Sequence, residues 1–498
     1  MSLSDKQLTG LSAVHAQGLI VSGEISPVEL LEACIRQVEL INPALNAMVT
    51  TAFERARREA LHAERQVRNG EKLGLLHGVP IAIKDIQNTE GIRTTYGSPD
   101  FANFVPEADS GLVARVRAAG GIVIGKTNVP EMSIGANTIN PLFGPTGNAF
   151  NPNLTCGGSS GGSGVVVATN MVPLATGSDH GGSLRIPACY SGVVGYRATP
   201  GVVPNEQRLT VQSYYSVQGP MARSVEDAAL LLAVISQRNQ QSSQDPMVFP
   251  METSRFAALD AVDVRSLRVA VTPDLGGVLV SDLIRQSFEK KVEKISSLVA
   301  NCERIAIDLS EAQAVDWHLR QDIFVSQYSR DAEHWDASFN PNIKATYESA
   351  LITPMSEIAG ARRTQLDLQR KFAGLFEDFD LVICPGVSVS PFPWSSMQPT
   401  KIDGKKVDNY MAWLALTSSI SVIGHPVLAL PCGRDSAGLP FGIQVIGRMY
   451  CDHQLLSTAM ALENAFATDP ELTRPVPDFE ALENADGIME QHQVEGIS

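Results

Sequence analysis

The chain has 498 residues, 44% hydrophobic and 19% charged, enough apolar content for one large domain or two to three smaller ones. A formal net charge of −15 repels phosphate backbones and anionic lipid, which argues against nucleic-acid binding by a broad basic surface. MSLSDKQLTG lacks a basic-then-apolar leader, no run of about 18 apolar residues follows, and the seven cysteines form no CxxC pair, so the expectation is a cytoplasmic protein with reduced thiols, no membrane span and no zinc site.

Ser26, Pro27 and Glu29 read as N-cap, N1 and N3 of a helix with a capping box, and Val28, Leu31, Ile35 and Val38 recur at helical spacing behind them. A second, charged helix is expected from Phe53 to Arg68, stopped by Gly70. Residues 1–70 thus form a helical arm. From Val79 the pattern changes. VPIAIKD reads as a strand, SGLVARVRAAGG as a helix, IVIGKTN as a strand, SGVVVATN as a helix and VPLATGSD as a strand running into a loop. This alternation places a core over 71–235 and predicts an α/β sheet covered on both faces. Residues 236–375 are mostly polar helix pattern without motifs and read as an excursion on the substrate side. Short apolar strands return at DLVICPG, HPVLALP and FGIQVIG within 376–465, and the segment 466–498 reads as a peripheral tail of the same single domain.

GGIVIGKT, residues 120–127, satisfies the spacing of a nucleotide-binding loop, but its middle is an Ile-Val-Ile strand whose N–H groups belong to a ladder. Pro130 also discourages the helix such a loop needs. Two other loops carry more. TCGGSSGGSG, residues 155–164, holds five glycines and three serines, and GSDHGGSLRIP, residues 177–187, is a second glycine-flanked serine loop. Ser159 and Ser183 lie 24 residues apart, room for a short helix out and a strand back, which sets both loops side by side at one sheet edge. The plain alternative is that such loops only turn corners.

A serine hydroxyl needs a base. His180 is near, yet no GxSxG elbow and no evident orienting acid accompany it, and it reads better as a wall or hydrogen-bond residue of the pocket than as the base. Lys84, on the apolar strand VPIAIKD, is the other candidate. Burial lowers a lysine's pKa, and strand alternation sends Asp85 to the opposite face. The competing reading is a strand-end lysine that snorkels to solvent.

With VPIAIKD, GKTNVPEM, NPLFGPTGN, GGSSGGS, GSDHGGSLRIP, GPMARSVEDAALLL and GLPFGIQVIG taken together, the chain resembles the amidase signature hydrolases over residues 10–235 and 376–465. The resemblance implies a mixed β-sheet between layers of α-helices and a Ser–cis-Ser–Lys triad, with Ser183 as acyl nucleophile, Ser159 as bridging serine and Lys84 as base. It further implies an oxyanion hole from the backbone amides of His180, Gly181, Gly182 and Ser183, with Asp179 and Arg185 bracing the loop. Ser133 and Gly135 match positions near the substrate in fatty acid amide hydrolase, and Tyr214 and Tyr215 are expected to line the other side of a roomy pocket. His180 stands where threonine or an aliphatic residue is more common, and GYRATPG departs from the family's usual stretch.

The resulting expectation is an amidase cleaving a linear carboxylic amide, with aryl amides, carbamates or esters among its substrates. It uses no cofactor and no metal, binds neither nucleic acid nor membrane, and has the homodimer as a recurrent family arrangement. The alternatives are the A subunit of a glutamyl-tRNA amidotransferase and an inactive binding protein on the same fold.

Overall fold

The computed structural model describes residues 3–208, 210, 213–330, 332, 340–407 and 409–489. Eleven strands make the central sheet: β1 (Met48–Thr51), β2 (Pro80–Lys84), β3 (Ile122–Thr127), β4 (Leu174–Asp179), β5 (Val194–Arg197), β6 (Val217–Ala222), β7 (Arg268–Val271), β8 (Asn301–Arg304), β9 (Leu381–Pro385), β10 (Val427–Arg434) and β11 (Pro440–Ile446). Their order is β1-β3-β2-β4-β6-β5-β10-β11-β9-β7-β8. β2 runs parallel to both β3 and β4, and β7 runs parallel to β8 and β9, whereas the other pairings are antiparallel. The sheet is therefore mixed, with helices on its faces, as expected of α/β architecture.

The helices that matter to the site are α1 (Pro27–Leu45), α2 (Phe53–Arg68), α3 (Gly161–Ala168), α4 (Arg185–Ser191), α5 (Ala312–Tyr328), α6 (Ala415–Ile423) and α7 (Phe479–Glu483). The α1 capping box forms as read: Ser26 Oγ accepts from Glu29 N at 3.3 Å and Glu29 Oε2 accepts from Ser26 N at 2.9 Å. α2 occupies the residues expected of it and stops before Gly70, whose φ of +66° suits glycine.

Two readings of the organisation change. Residues 236–375 are more than a helical excursion, because β7 and β8 from this stretch extend the main sheet beyond β9. β8, NCER, lies at the sheet edge with mostly exposed residues and lacks the apolar signal of a covered strand. The tail is also more than peripheral: Leu482 and Ile488 are buried, and Met489 borders an apolar cavity near the serine loops. The candidate nucleotide loop is the fully buried strand β3, with Lys126 inside the protein rather than facing a phosphate site. All seven cysteines are free.

Candidate active site

β2 and β4 pair in parallel, with Ile81 opposite Leu174 and Ala82 opposite Ala175, so Lys84 and Asp179 emerge at neighbouring carboxyl ends. In α/β sheets such ends hold the functional loops. Between the two serine loops the chain goes out along α3 and back along β4, and the amide of Ser160 donates to the carbonyl of Ser183 at 3.1 Å. The loops thus lie side by side.

Glycine is required where these segments touch. A Cβ on Gly162 would come within 2.5 Å of Asn128 N, and one on Gly182, at φ +131°, within 2.3 Å of Thr417 Oγ1. Neither distance leaves room for a side chain, and between the loops themselves a Cβ on Gly177 would come within 2.9 Å of Ser160 Oγ and one on Gly157 within 3.0 Å of Ile186 Cγ2, so their closeness depends on bare backbone.

Lys84 is fully buried. Its Nζ donates to Ser159 Oγ at 2.7 Å and to Ser178 Oγ at 2.9 Å. Ser133 Oγ donates to Ser159 Oγ at 2.7 Å, and the Gly158–Ser159 peptide is cis. Loss of water pushes the Lys84 pKa well below its usual value, opposed by the field of Asp179. Asp179 is already engaged. Arg185 Nη2 and Nε reach its two oxygens at 2.9 and 3.0 Å, Arg197 Nη1 lies 3.4 Å away, and the amides of Gly182 and Leu184 donate at 2.9 and 3.1 Å. Despite its burial, the two guanidinium groups hold that carboxyl well below the usual carboxylate range.

Ser183, Ser133, Gly135, Gly158, His180 and Gly181 border one small cavity of about 30 Å³. Among the described residues the Ser183 hydroxyl has no hydrogen-bond partner, so it adjoins the Lys84–Ser159–Ser133 chain across this space rather than through a bond. Of the four loop amides expected to act together, that of Gly182 is occupied by Asp179. Those of His180, Gly181 and Ser183 have no acceptor among the described residues.

His180 stacks on Tyr215, with ring centroids 4.7 Å apart and planes 21° apart. Burial, reinforced by Arg320 and Arg197, pushes its pKa well below the usual histidine value, so the ring is neutral. Its Nε2 is buried without a hydrogen-bond partner. No hydrogen bond among the described residues links it to a serine. Tyr214 and Tyr215 do not line the small cavity as expected; they border a separate depression of about 270 Å³. Arg197 takes the carbonyls of both, at 2.5 and 2.8 Å, and Tyr215 reaches the site only through the His180 ring.

The room expected around Ser133 and Gly135 lies beside the serines. An apolar cavity of about 540 Å³ shares Ile134, Gly135, Ala136 and Tyr410 with the small one and continues to Trp413, Met397 and Met489. The sequence reading missed Ser178, which sat unremarked in the second loop, and Arg197, the third member of the Asp179 cluster, inside the divergent GYRATPG. It also missed Arg320 on α5 and Tyr410, both bordering the small cavity. These two belong to segments without a motif, so no sequence signal marked them. Among the described residues no group of three or more His, Cys, Asp or Glu is placed to hold a metal ion, and no helix is long and apolar enough to cross a membrane.

A family model described as Amidase matches residues 29–456. An acylamidase of Rhodococcus erythropolis is 31% identical over 93% of this chain and 96% of its own length. The A subunit of the glutamyl-tRNA(Gln) amidotransferase of Thermosynechococcus vestitus is 31% identical over 91% of this chain and 97% of its own. The solved structure of a bacterial aryl acylamidase superposes with a TM-score of 0.83 at 27% identity, covering 92% of this chain and 96% of the other. Family model, relatives and fold agree with the glycine-serine loops, and the chain belongs to the amidase signature family of hydrolases, enzymes that cleave amide C–N bonds.

Proposed function

We propose that this chain hydrolyses a linear carboxylic amide through an acyl-enzyme on Ser183, with Ser159 relaying the proton and Lys84 as the base. The observation that carries the reading is the 2.7 Å contact between a buried Lys84 Nζ and Ser159 Oγ. Lys84 forms no ion pair among the described residues, and a desolvated amine of this kind is neutral often enough to accept a proton. Ser159 Oγ takes the proton of Ser183 and passes its own to Lys84, while Ser183 Oγ attacks the amide carbon. The amides of His180, Gly181 and Ser183 receive the developing oxyanion, and each such donor is worth roughly 3 kcal/mol in the transition state. Lys84 then returns the proton through Ser159 to the departing nitrogen, the C–N bond breaks, and water repeats the cycle on the ester.

Three supports fix the parts. Ser133 and Ser178 hold Ser159 and Lys84 in place. The Asp179–Arg185–Arg197 cluster braces the loop that carries Ser183. The 540 Å³ apolar cavity suits a bulky or aromatic amine as leaving group, which favours aryl amides and carbamates over ammonia-releasing substrates.

The amidotransferase reading shares this chemistry and has a relative of equal identity behind it, but the apolar cavity beside the serines favours a bulky amine over ammonia. A fluorophosphonate probe with intact mass and peptide mapping tests the proposal: one adduct on Ser183 is expected, together with acid and amine products from an anilide. An unlabelled protein, or an adduct elsewhere that abolishes turnover, overturns it.

A further inference from the structure

α5 carries a cation that the proposed hydrolysis does not use. Arg320 is 4% exposed and borders the 30 Å³ cavity beside Ser183, Gly181 and His180. A guanidinium has five N–H donors. Among the described residues one of them is used, from Nη1 to Tyr410 Oη at 3.1 Å, and Nε is buried with no partner. Asp316, one turn back on α5, forms no ion pair with it among the described residues. The rings of Phe324 and Tyr410 lie 5.7 and 5.8 Å from the guanidinium carbon and limit how far the group can move. Buried Asp316 and the Tyr410 hydroxyl keep the guanidinium charged, but most of its donors stay unused, and a polar group arriving with a ligand offsets the cost of burying them.

Position says which half of the ligand it meets. A Cβ on Gly181 would lie 3.4 Å from Arg320 Nη2, so the guanidinium stands beside the loop whose amides face the oxyanion. The leaving nitrogen must instead face Ser159, which returns its proton. Arg320 therefore reads the acyl half. Among the described residues no other charged side chain borders the cavity, His180 is neutral, and burial pushes the carboxyl of Asp316 behind the guanidinium up, which weakens its opposition to a negative group. The cavity is small, about 30 Å³, so an acyl half that reaches Arg320 through it must be short.

We infer that Arg320 receives a carboxylate on the acyl half of the substrate, which makes the preferred substrates monoamides of short dicarboxylic acids with a bulky or aromatic amine. The planar fork matches a carboxylate with two parallel hydrogen bonds. This inference rests on the amidase reading above.

The test compares succinic acid mono-p-nitroanilide with its uncharged isostere, 4-methylpentanoyl p-nitroanilide, in the wild type, Arg320→Gln and Arg320→Lys. The wild type is expected to favour the acid by about 100-fold in kcat/KM, the worth of a charge-assisted pair. Arg320→Gln should bring that ratio to within about threefold of one, and Arg320→Lys should keep about a tenfold preference, since it retains the charge but not the fork. A wild type that does not favour the acid overturns the inference whatever the variants do. So does an equal fall on both substrates in Arg320→Gln, which would place the guanidinium's effect on the oxyanion. Fluorophosphonate labelling of Ser183 is read in parallel: a wild type that is not labelled sinks the amidase reading itself, whereas labelling without acid preference sinks only the role of Arg320.

Discussion

Two lysines end neighbouring strands, both wholly buried, and the contrast between them shows what burial alone does not decide. Lys84 on β2 pairs across the ladder with Thr127, and Lys126 on β3 pairs with Ile83. This one-residue offset turns their side chains to opposite faces of the sheet. Lys126 enters a cage of acceptors: Gln87 O at 2.7 Å, Thr94 Oγ1 at 2.7 Å, Thr89 Oγ1 at 3.2 Å, and Asp85 Oδ1 at 3.7 Å. Its pKa is lowered by burial to about 8, opposed by Asp85, so it remains mostly charged at neutral pH and ties β3 to the loop after β2. Lys84 meets two hydroxyls, and the carboxylate whose field acts on it, Asp179, is committed to two arginines. One lysine is therefore a structural cation and the other a candidate base.

Replacing each lysine sharpens that contrast. Lys84→Met should lower anilide turnover by about 10⁴-fold, the order lost when a member of a serine triad is removed, while a cooperative melting transition is kept. The same change should stabilise the protein. The Lys84 pKa is depressed on folding, so the unfolded chain binds more protons, and the penalty grows as pH falls below 10.5 towards the folded value. The stability gain of Lys84→Met is thus expected to be largest near neutrality and to fade towards pH 10, as read by urea unfolding at several pH values. Loss of stability at neutral pH would break the comparison.

Lys126→Met should do the reverse. It leaves Asp85 buried without its cation and should cost about 3 kcal/mol in urea unfolding, with turnover per folded molecule affected far less than by Lys84→Met. The pH profile gives a third measure. Below the Lys84 pKa, kcat/KM should fall tenfold per pH unit as the amine becomes protonated, and this limb should persist in His180→Ala, whose main effect is on substrate preference. Disappearance of the limb in His180→Ala would return the base to histidine. The smallest effect concerns the supporting hydroxyls. Ser133→Ala should lower turnover about tenfold through the lost hydrogen bond to Ser159, whereas Thr94→Val should cost about 1 kcal/mol of stability at the Lys126 cage.

Much of this is legible in local stretches of the chain. The capping box at Ser26, the charged helix from Phe53 to Arg68, the strand ending at Lys84 and the helix-out, strand-back path between Ser159 and Ser183 are all set by neighbours within a few residues, and each appears where its pattern placed it. The stretch from 236 to 375 was less legible. β7 has only four residues and β8 is a polar edge strand, so neither carries the alternation that marks a strand. Arg320 sits on a helix whose charged residues look like an ordinary solvated face, and only packing against Tyr410 and the serine loops turns it inward. Tyr214 and Tyr215 line a depression apart from the small cavity, where the Tyr215 ring is covered by the His180 ring, a contact that no local pattern announces.

The amino-acid sequence by itself determined the covalent means of the site: two serines in bare-backbone loops, a lysine at the end of an apolar strand, and the short path that joins the loops. Tertiary structure decided their electrical state. Which lysine keeps a carboxylate at hand, which amide of the glycine loop is already taken, and which arginine borders the nucleophile depend on groups that meet only in the folded chain, because solvation and charge pairing act over a few ångströms of space and are blind to separation along the sequence.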